Sequence, residues 1–187
     1  GYYSAATNTG NHSVATNTGD HSIATNSGCH SAATNTGDHS VSTNSGSYSV
    51  ATNSGYQSAA TSTGYQSIAT NTGKYSAATN TGNYSAATNS GYKSAATNTG
   101  DYSSATSSGK QSTAISTGDK SLATVQGNES IAVVTGKDSM ACGTLGSWIV
   151  LTERGDVDGE INPIKEVKVF KVDGVNIKEN TFYRLVD

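Results

Sequence analysis

The sequence predicts an all-β fold, a parallel β-solenoid (β-roll) with about 18 residues per coil, two short strands per coil and a small C-terminal β-meander cap. Glycine recurs every nine residues from Gly1 to Gly136, which defines 16 consecutive units. Small residues alternate with variable ones inside each unit, in the period of two that is typical of a strand. Only 33% of the residues are hydrophobic. That is too few for an ordinary apolar core, whereas strict repetition indicates a solenoid that stacks its own units.

The strand of each unit is predicted from the positions counted from the glycine, which is position 1. Position 4 is serine in all 16 units, and position 6 is alanine in 15, with Ser42 as the exception. Side chains two residues apart share a face, so these constant small residues are expected to fill a narrow interior. Position 5 varies freely and is expected outside. Position 7, which is threonine in 13 units and is replaced by Ile115, Val133 and Cys142 in the others, is also expected outside.

The turn of each unit is predicted at positions 1 to 3. Glycine is expected to supply a positive φ there without steric cost, as Asn and Asp can. The polar and aromatic residues at positions 2 and 3 are expected in solvent. The asparagine at position 8 is expected to point inward, where a ladder of equivalent amides would satisfy backbone groups at a corner that water does not reach.

The coil is predicted to contain two units, because one unit is too short to close around even a thin interior. The 16 units would then form eight coils. At a strand spacing of about 4.8 Å, the solenoid would be roughly 38 Å long. A three-unit coil is disfavoured because 16 is not a multiple of three and the interior is too lean.

The repeat degrades toward its end, where Val125, Val133 and Val134 replace polar residues. Larger apolar side chains there indicate that another segment covers the last coils. We therefore predict a solenoid over residues 1–144 and a C-terminal β cap over residues 145–187.

The cap is predicted to contain three strands and two turns. The strands are Ser147–Glu153, Ile164–Val172 and Thr181–Val186, and the turns are Arg154–Glu160 and Asp173–Gly174. Val167 and Val169 alternate with lysines, which predicts a half-exposed sheet whose charges discourage edge-to-edge pairing.

The composition also limits the classes of function. A net charge of −3 and a pI of about 5.7 provide no basic patch for nucleic acid. Neither a signal peptide nor a membrane span is evident. Cys29 and Cys142 occupy different positions of the repeat, so free thiols are expected rather than a disulfide. Because Gly1 is already in repeat register and is not Met, we interpret the chain as a fragment of a longer protein.

The histidines and the aspartates are the candidate metal ligands of the sequence. In an 18-residue coil, His12 would stack near His30, and His21 near His39, at roughly 5 Å. A transition metal could bridge such a pair, but Tyr and Gln also occupy this position, which indicates a position tolerant of polar and aromatic side chains. Calcium-binding nonapeptide rolls need an aspartate in nearly every unit, and here aspartates are sparse. We therefore predict no metal site and no cofactor, and folding without calcium.

The threonines form the candidate surface-binding ladder. Their methyl and hydroxyl groups would lie in rows, an array similar to that of β-solenoid ice-binding proteins. The alternative is that threonine is simply a good strand former that packs well in a ladder. The Thr-x-Thr triplets contribute Thr7, Thr9, Thr16, Thr18, Thr34, Thr36, Thr70, Thr72, Thr79, Thr81, Thr97 and Thr99.

Two family resemblances rest on these motifs. The pattern Gly-x-x-Ser-x-Ala, as in residues 10–15, resembles the repeat of trimeric autotransporter adhesin heads, which are left-handed parallel β-rolls with longer repeats. The tandem Ser-Ala-Ala-Thr-Asn-Thr-Gly units, followed by the segments at 146–153 and 164–174, resemble bacterial and phage-borne repeat proteins over nearly the whole chain. The first resemblance implies surface adhesion, and the second implies no particular activity.

No catalytic constellation is present, because every serine of position 4 is explained by packing. We expect a non-enzymatic structural or interaction module, a rigid scaffold or display surface, that self-associates or stacks end to end. The alternatives are an ice-binding surface formed by the threonines, and adhesin-like binding of carbohydrate or a host surface. In the last case the turn tyrosines, such as Tyr84 and Tyr102, would make the contacts.

Overall fold

The computed structural model of the chain describes residues 2–155 and 163–186. It confirms the predicted fold class, an all-β parallel solenoid. Within the repeat, a strand pairs in parallel with the strand 18 residues further on, so that Ala5 lies opposite Ile23, Val14 opposite Ala32 and, at the end, Leu122 opposite Met140. Two nine-residue units therefore complete one coil.

The strands of the repeat are four residues long and are followed by two longer ones. They are β1 Ala5–Asn8, β2 Val14–Asn17, β3 Ile23–Asn26, β4 Ala32–Asn35, β5 Val41–Asn44, β6 Val50–Asn53, β7 Ala59–Ser62, β8 Ile68–Asn71, β9 Ala77–Asn80, β10 Ala86–Asn89, β11 Ala95–Asn98, β12 Ser104–Ser107, β13 Thr113–Ser116, β14 Leu122–Val125, β15 Ile131–Val134, β16 Met140–Gly143, β17 Trp148–Arg154 and β18 Ile164–Lys171.

The strands form two sheets on opposite sides of the interior. The odd-numbered strands from β1 to β17, with β18 at the end, make a ten-stranded sheet, and β2 to β16 make an eight-stranded sheet. β17 continues the ten-stranded sheet in parallel with β15, and β18 then pairs antiparallel with β17. Among the described residues, no helix has the length and apolar character needed to cross a bilayer.

The interior contains the constant residues, as predicted. Ser67, Ala69 and Asn71 of one unit are each 0% exposed, whereas the residues of positions 5 and 7 are half-buried or exposed in every described unit but the last. There the expectation that position 7 lies outside is wrong, because Cys142 is buried at the end of the solenoid, where the C-terminal segment pairs with Ala141. The burial pattern alternates strictly along almost every strand of the repeat. Only small side chains fit because the two sheets approach each other closely through alanine.

The inward asparagines satisfy the backbone at the corners, also as predicted. Asn71 donates from Nδ2 to the carbonyl oxygens of Ser58 at 3.0 Å and Ala77 at 3.2 Å. Its Oδ1 accepts from the amide of Gly73 at 2.8 Å. Ser58 precedes β7 and Ala77 begins β9, so each asparagine ties its own turn to chain segments of the opposite sheet.

The role predicted for the repeat glycine is wrong. Positive φ occurs at position 3, in 16 residues from Tyr3 to Asp138, and not at the repeat glycines from Gly10 to Gly136. Glycine is needed for a different reason: a Cβ on Gly73 would overlap the carbonyl oxygen of Gly55 in the preceding coil, and the same overlap recurs along the chain. The glycines of position 1, which we call the glycine column, therefore permit close stacking of coils. Position 3 carries the left-handed residue of the turn.

The C-terminal segment closes the end of the solenoid with larger apolar residues. Val125, Val134, Ile149, Leu151 and Val172 are buried together in one cluster with the alanines of the last coils. The first two predicted cap strands are confirmed to within one residue at each end by β17 and β18.

The third predicted strand is wrong. Within Thr181–Val186 only Tyr183 pairs, in a single antiparallel bridge with Ala141 whose two hydrogen bonds are 2.9 Å long. The chain bends at Asp173–Gly174, as predicted, and turns again at Asn180, whose φ is positive. These bends leave room for one paired residue and not for a strand. The predicted turn at Arg154–Glu160 falls largely in residues 156–162, outside the described part.

The half-exposed sheet predicted for Val167 and Val169 is also wrong. β18 is exposed at seven of its eight residues, on both faces, and only Phe170 is partly covered. The physical reason is that β18 is the last strand of its sheet and extends beyond the end of the eight-stranded sheet.

Candidate functional site

The predicted threonine ladder is divided between two opposite faces. The triplets beginning at Thr7, Thr79 and Thr97 lie on the ten-stranded sheet, and those beginning at Thr16, Thr34 and Thr70 lie on the eight-stranded sheet. Neighbouring triplets are stacked directly only for Thr79 with Thr97 and for Thr16 with Thr34. The first threonine of each triplet is in the strand, and the second is exposed in the turn.

One part of the ten-stranded sheet is more regular than the rest. β7, β9 and β11 are adjacent, and each reads Ala-Ala-Thr-x-Thr from position 5 to position 9. Thr61, Thr79 and Thr97 stand in register, beside Ala59, Ala77 and Ala95. We call these three strands the threonine patch. Position 5 carries Val, Ile or Leu in several strands of the other sheet, so a comparable flat area is interrupted there.

The turns carry two continuous ladders of aromatic rings, one along each edge of the solenoid. One contains Tyr3, His21, His39, Tyr56, Tyr75 and Tyr92, and the other contains His12, His30, Tyr48, Tyr65, Tyr84 and Tyr102. Neighbouring ring centroids lie 4.9–6.0 Å apart. Tyr84 and Tyr102 are parallel at 5.0 Å.

The ladder residues at position 3 have a backbone conformation that aromatic residues rarely adopt, whereas Tyr56, Tyr65 and Tyr92 are at position 2 and do not. His12, Tyr48 and Tyr84 have φ values of 53°, 57° and 55°, in the left-handed region where Gly or Asn fits at lower cost. Strained backbone at a recurring place is a reason to examine that place for function. The histidine ends of both ladders and the pair Tyr84–Tyr102 stack face to face, whereas the rings between them meet edge to face. A sugar would therefore meet ring edges and hydroxyl groups at the stacked pairs and could reach ring faces at the others.

Shallow grooves lie beside both ladders. The groove on the ten-stranded side has a volume of about 450 Å³ and is lined by Gln57, Tyr75, Lys93 and the alanines of the threonine patch. The groove on the other side has a volume of about 460 Å³ and includes Tyr84, Tyr102 and Lys120. Lys120 donates from Nζ to the Tyr102 hydroxyl at 3.1 Å, and this hydrogen bond raises the pKa of Lys120 above its ordinary value. The ammonium group therefore stays charged at the end of the ladder.

The histidine stacking is confirmed: the His12 and His30 rings, and likewise the His21 and His39 rings, lie 5.0 Å apart. Within residues 2–155 and 163–186, no three His, Cys, Asp or Glu side chains come together in a way that could hold a metal ion. Both cysteines are free thiols, and burial raises the pKa of the Cys142 thiol, which disfavours the thiolate.

A row of Asp and Asn side chains at position 2 was missed from sequence. Asp20 accepts a hydrogen bond from the amide of Asp38 at 3.0 Å, and Asp101 accepts one from the amide of Asp119 at 2.8 Å. Asn83 does the same for Asp101 at 2.9 Å. These side chains therefore cap backbone of the next coil. The signal was present as Asp and Asn residues 18 apart, but it has meaning only once the coil length is known.

Positions 2, 3, 5, 7 and 9 thus supply the surface of the repeat. The threonine patch offers ordered methyl and hydroxyl groups, and the ring ladders offer aromatic edges beside grooves. The hydroxyl groups at position 4 bond to other serines and to backbone carbonyl oxygens in the described part of the chain. Comparison with family models, with curated proteins and with solved structures gives no match to this chain.

Proposed function

We propose that this chain is a non-enzymatic structural and interaction module, a rigid scaffold that displays side chains at a fixed spacing. The observation that carries the proposal is the use made of the invariant residues. Glycine permits the close approach of coils, and serine and asparagine hydrogen-bond to neighbouring coils. Alanine fills the interior between the sheets. The constant residues are thereby occupied in holding one coil on the next.

Rigidity follows from the number of independent contacts between coils. Besides the ladder of each sheet, the amide of Ser58 donates to Ser76 Oγ at 3.0 Å. The Ser76 hydroxyl is also within hydrogen-bond distance of the carbonyl oxygen of Gly55 in the preceding coil, at 3.3 Å. Fully bonded buried polar networks hold a unique arrangement, because any shift leaves a polar group unpaired. A scaffold of this kind keeps surface groups at constant intervals along its length.

The scaffold role is tested by measuring distances along one row of the surface. Spin labels on cysteines introduced at Ser27 and Thr117, in a Cys29→Ser background, would sit at position 9 of strands five coil spacings apart. The Cα separation should be roughly 24 Å, and pulsed electron–electron double resonance should give a narrow distribution of label-to-label distances. A second copy of residues 64–81, inserted after residue 81, should lengthen it by about 4.8 Å. A broad distance distribution, or a distance that does not increase after the insertion, would contradict a rigid scaffold.

A second candidate function is supported by the threonine patch. Three adjacent strands with identical Ala and Thr rows form a regular surface of methyl and hydroxyl groups, with a shallow groove along the alanine row. Such a surface is suited to an ordered partner with its own lattice, and ice is the partner to test first.

The experiment compares matched substitutions on the two sheets. Thr79→Tyr places a large ring in the middle of the patch, and Thr70→Tyr is the control at the same position of the opposite sheet. Inhibition of ice recrystallisation should be present in the unsubstituted protein, lost with Thr79→Tyr and retained with Thr70→Tyr. No inhibition by the unsubstituted protein would remove the ice hypothesis and leave the scaffold proposal standing.

A further inference from the structure

Among the residues that the structure describes, no strand pairs with the outer edge of β18. β18 is the terminal strand of the ten-stranded sheet and is paired on one side, with β17. The amide of Val172 donates to the carbonyl oxygen of Ser147 at 2.9 Å, next to that ladder. Because bonded and non-bonded residues alternate in an antiparallel ladder, the even-numbered residues of β18 face β17. The N–H and C=O groups of Val167, Val169 and Lys171 therefore point to the open edge.

The side chains of β18 leave apolar groups uncovered. Val167 and Val169 are 52% and 57% exposed on one face, and Ile164, which lies beyond a register shift between β17 and β18, is 52% exposed. Glu166 and Lys168 lie on the other face and form an ion pair at 2.8 Å. An uncovered strand edge with apolar side chains is a template for another strand.

We propose that two copies of this chain associate by antiparallel pairing of β18 with β18, about a twofold axis at Val167. In that register Val167 lies opposite Val167 of the second copy. Glu166 lies opposite Lys168, and this pair occurs twice, as does the pair of Lys165 with Val169. Opposite charges and apolar pairs directly across an antiparallel ladder are stabilising. The strand is thus complementary to itself in charge and in apolar character.

The neighbouring registers are disfavoured by the same residues. An axis at Glu166 would place two glutamates opposite each other. An axis at Lys168 would place Lys168 of one copy opposite Lys168 of the other, and Lys165 opposite Lys171. Like charges directly opposite are destabilising. The charges of this strand therefore disfavour both registers that differ by one residue from the proposed one.

The resulting dimer joins two solenoids through their C-terminal ends and doubles the ten-stranded sheet. It does not depend on the scaffold proposal, because β18 lies outside the nine-residue repeat. It also differs from end-to-end stacking of coils, because the contact is antiparallel and twofold.

The test uses charge-reversed variants of the whole chain in sedimentation equilibrium at low salt. The unsubstituted protein should dimerise as concentration rises. Glu166→Lys and Lys168→Glu should each weaken dimerisation by about tenfold or more, since each variant places side chains of the same charge opposite each other. An equimolar mixture of the two variants should form mixed dimers, because every cross pair is then attractive. The mixture also shows that both variants are folded.

A further variant distinguishes loss of pairing at the edge of β18 from loss of folding. Val167→Pro removes an N–H that points away from β17, so the ladder inside one copy is kept and the central bonds between copies are lost. This variant should be a folded monomer by circular dichroism and sedimentation. A monomeric unsubstituted protein, or Glu166→Lys and Lys168→Glu variants that dimerise as well alone as in the mixture, would overturn the proposal.

Discussion

At the residue scale, three serines mark where the asparagine ladder is interrupted. Ser62, Ser107 and Ser116 occupy position 8, and their buried hydroxyls have no hydrogen-bond partner in the described part of the chain. Asparagine at this position makes three bonds that a serine is too short to reach. A buried polar group without a partner lowers the free energy of unfolding.

Ser62→Asn should therefore stabilise the protein. Ser62 lies between Asn44 and Asn80 in the ladder, so the new amide would reach the carbonyl oxygens of Ser49 and Ile68 as its neighbours reach theirs. We expect the free energy of unfolding to rise by about 1–2 kcal/mol in denaturant titration. Ser62→Ala, which removes the unpaired hydroxyl alone, is the control and should be nearly neutral. A less stable Ser62→Asn variant would show that the space between the two asparagines is too small.

The glycine column gives a second residue-scale prediction. Gly73→Ala should destabilise the solenoid by about 4 kcal/mol or more, because the added methyl would overlap the backbone of Gly55 and force two coils apart. Gly10→Ala is the matched control, since its Cβ would come no closer than 3.4 Å to Asn8 Oδ1 and 3.9 Å to Ser13. Thermal unfolding of the two variants tests this, and equal losses would contradict close approach as the reason for glycine.

At the scale of elements, the C-terminal segment depends on one carboxylate. Asp173 Oδ1 accepts hydrogen bonds from the amides of Ile177, Val175 and Asn176 at 2.8–3.0 Å. These bonds, with one from the Asn176 side chain, hold the pKa of Asp173 well below its ordinary value. The carboxylate thereby fixes the bend that directs Tyr183 back to Ala141.

The pH dependence of this bend follows from the direction of the shift. A depressed pKa means that the stabilisation is present above the unfolded value of about 3.9 and is lost as pH falls through the lower folded value. Amide exchange at Val175, Asn176 and Ile177 should therefore become less protected, relative to the solenoid amides, as pH drops below about 4. Asp173→Asn keeps an acceptor oxygen but not the charge, so its protection should be weaker and independent of pH in this range. Equal protection in both proteins at pH 5 would contradict the assignment.

At the scale of the whole molecule, the two sheets are nearly equivalent, because both receive the same inward residues from successive units. β7 and β8 bury the same positions although they lie in opposite sheets. A strand tolerates removal of a whole unit but not a slip of one residue, since a slip exchanges the buried and exposed faces.

Deletions that differ by one residue test this equivalence. Deleting residues 69–77 joins Ile68 to Ala78 and leaves a complete unit, so we expect cooperative unfolding and unchanged strand content. Deleting residues 69–76 joins Ile68 to Ala77 and turns Asn80 outward, so the affected coil should not close and stability should fall sharply. Circular dichroism with thermal unfolding measures both, and similar stabilities would show that register is not enforced by the interior.

The sequence by itself determined the period, the two units per coil and the identity of the inward residues. These depend on local alternation and on the small size of Ser, Ala and Asn, and both are visible in one unit. The tertiary structure alone decided which residue takes the positive φ, because that choice depends on how closely two coils stack. It also decided that Asp20 and Asp101 cap the next coil, that Thr61, Thr79 and Thr97 share one face, and that β18 keeps an open edge. Each of these relations joins residues that are distant in the chain, and they become neighbours only when the coil has closed.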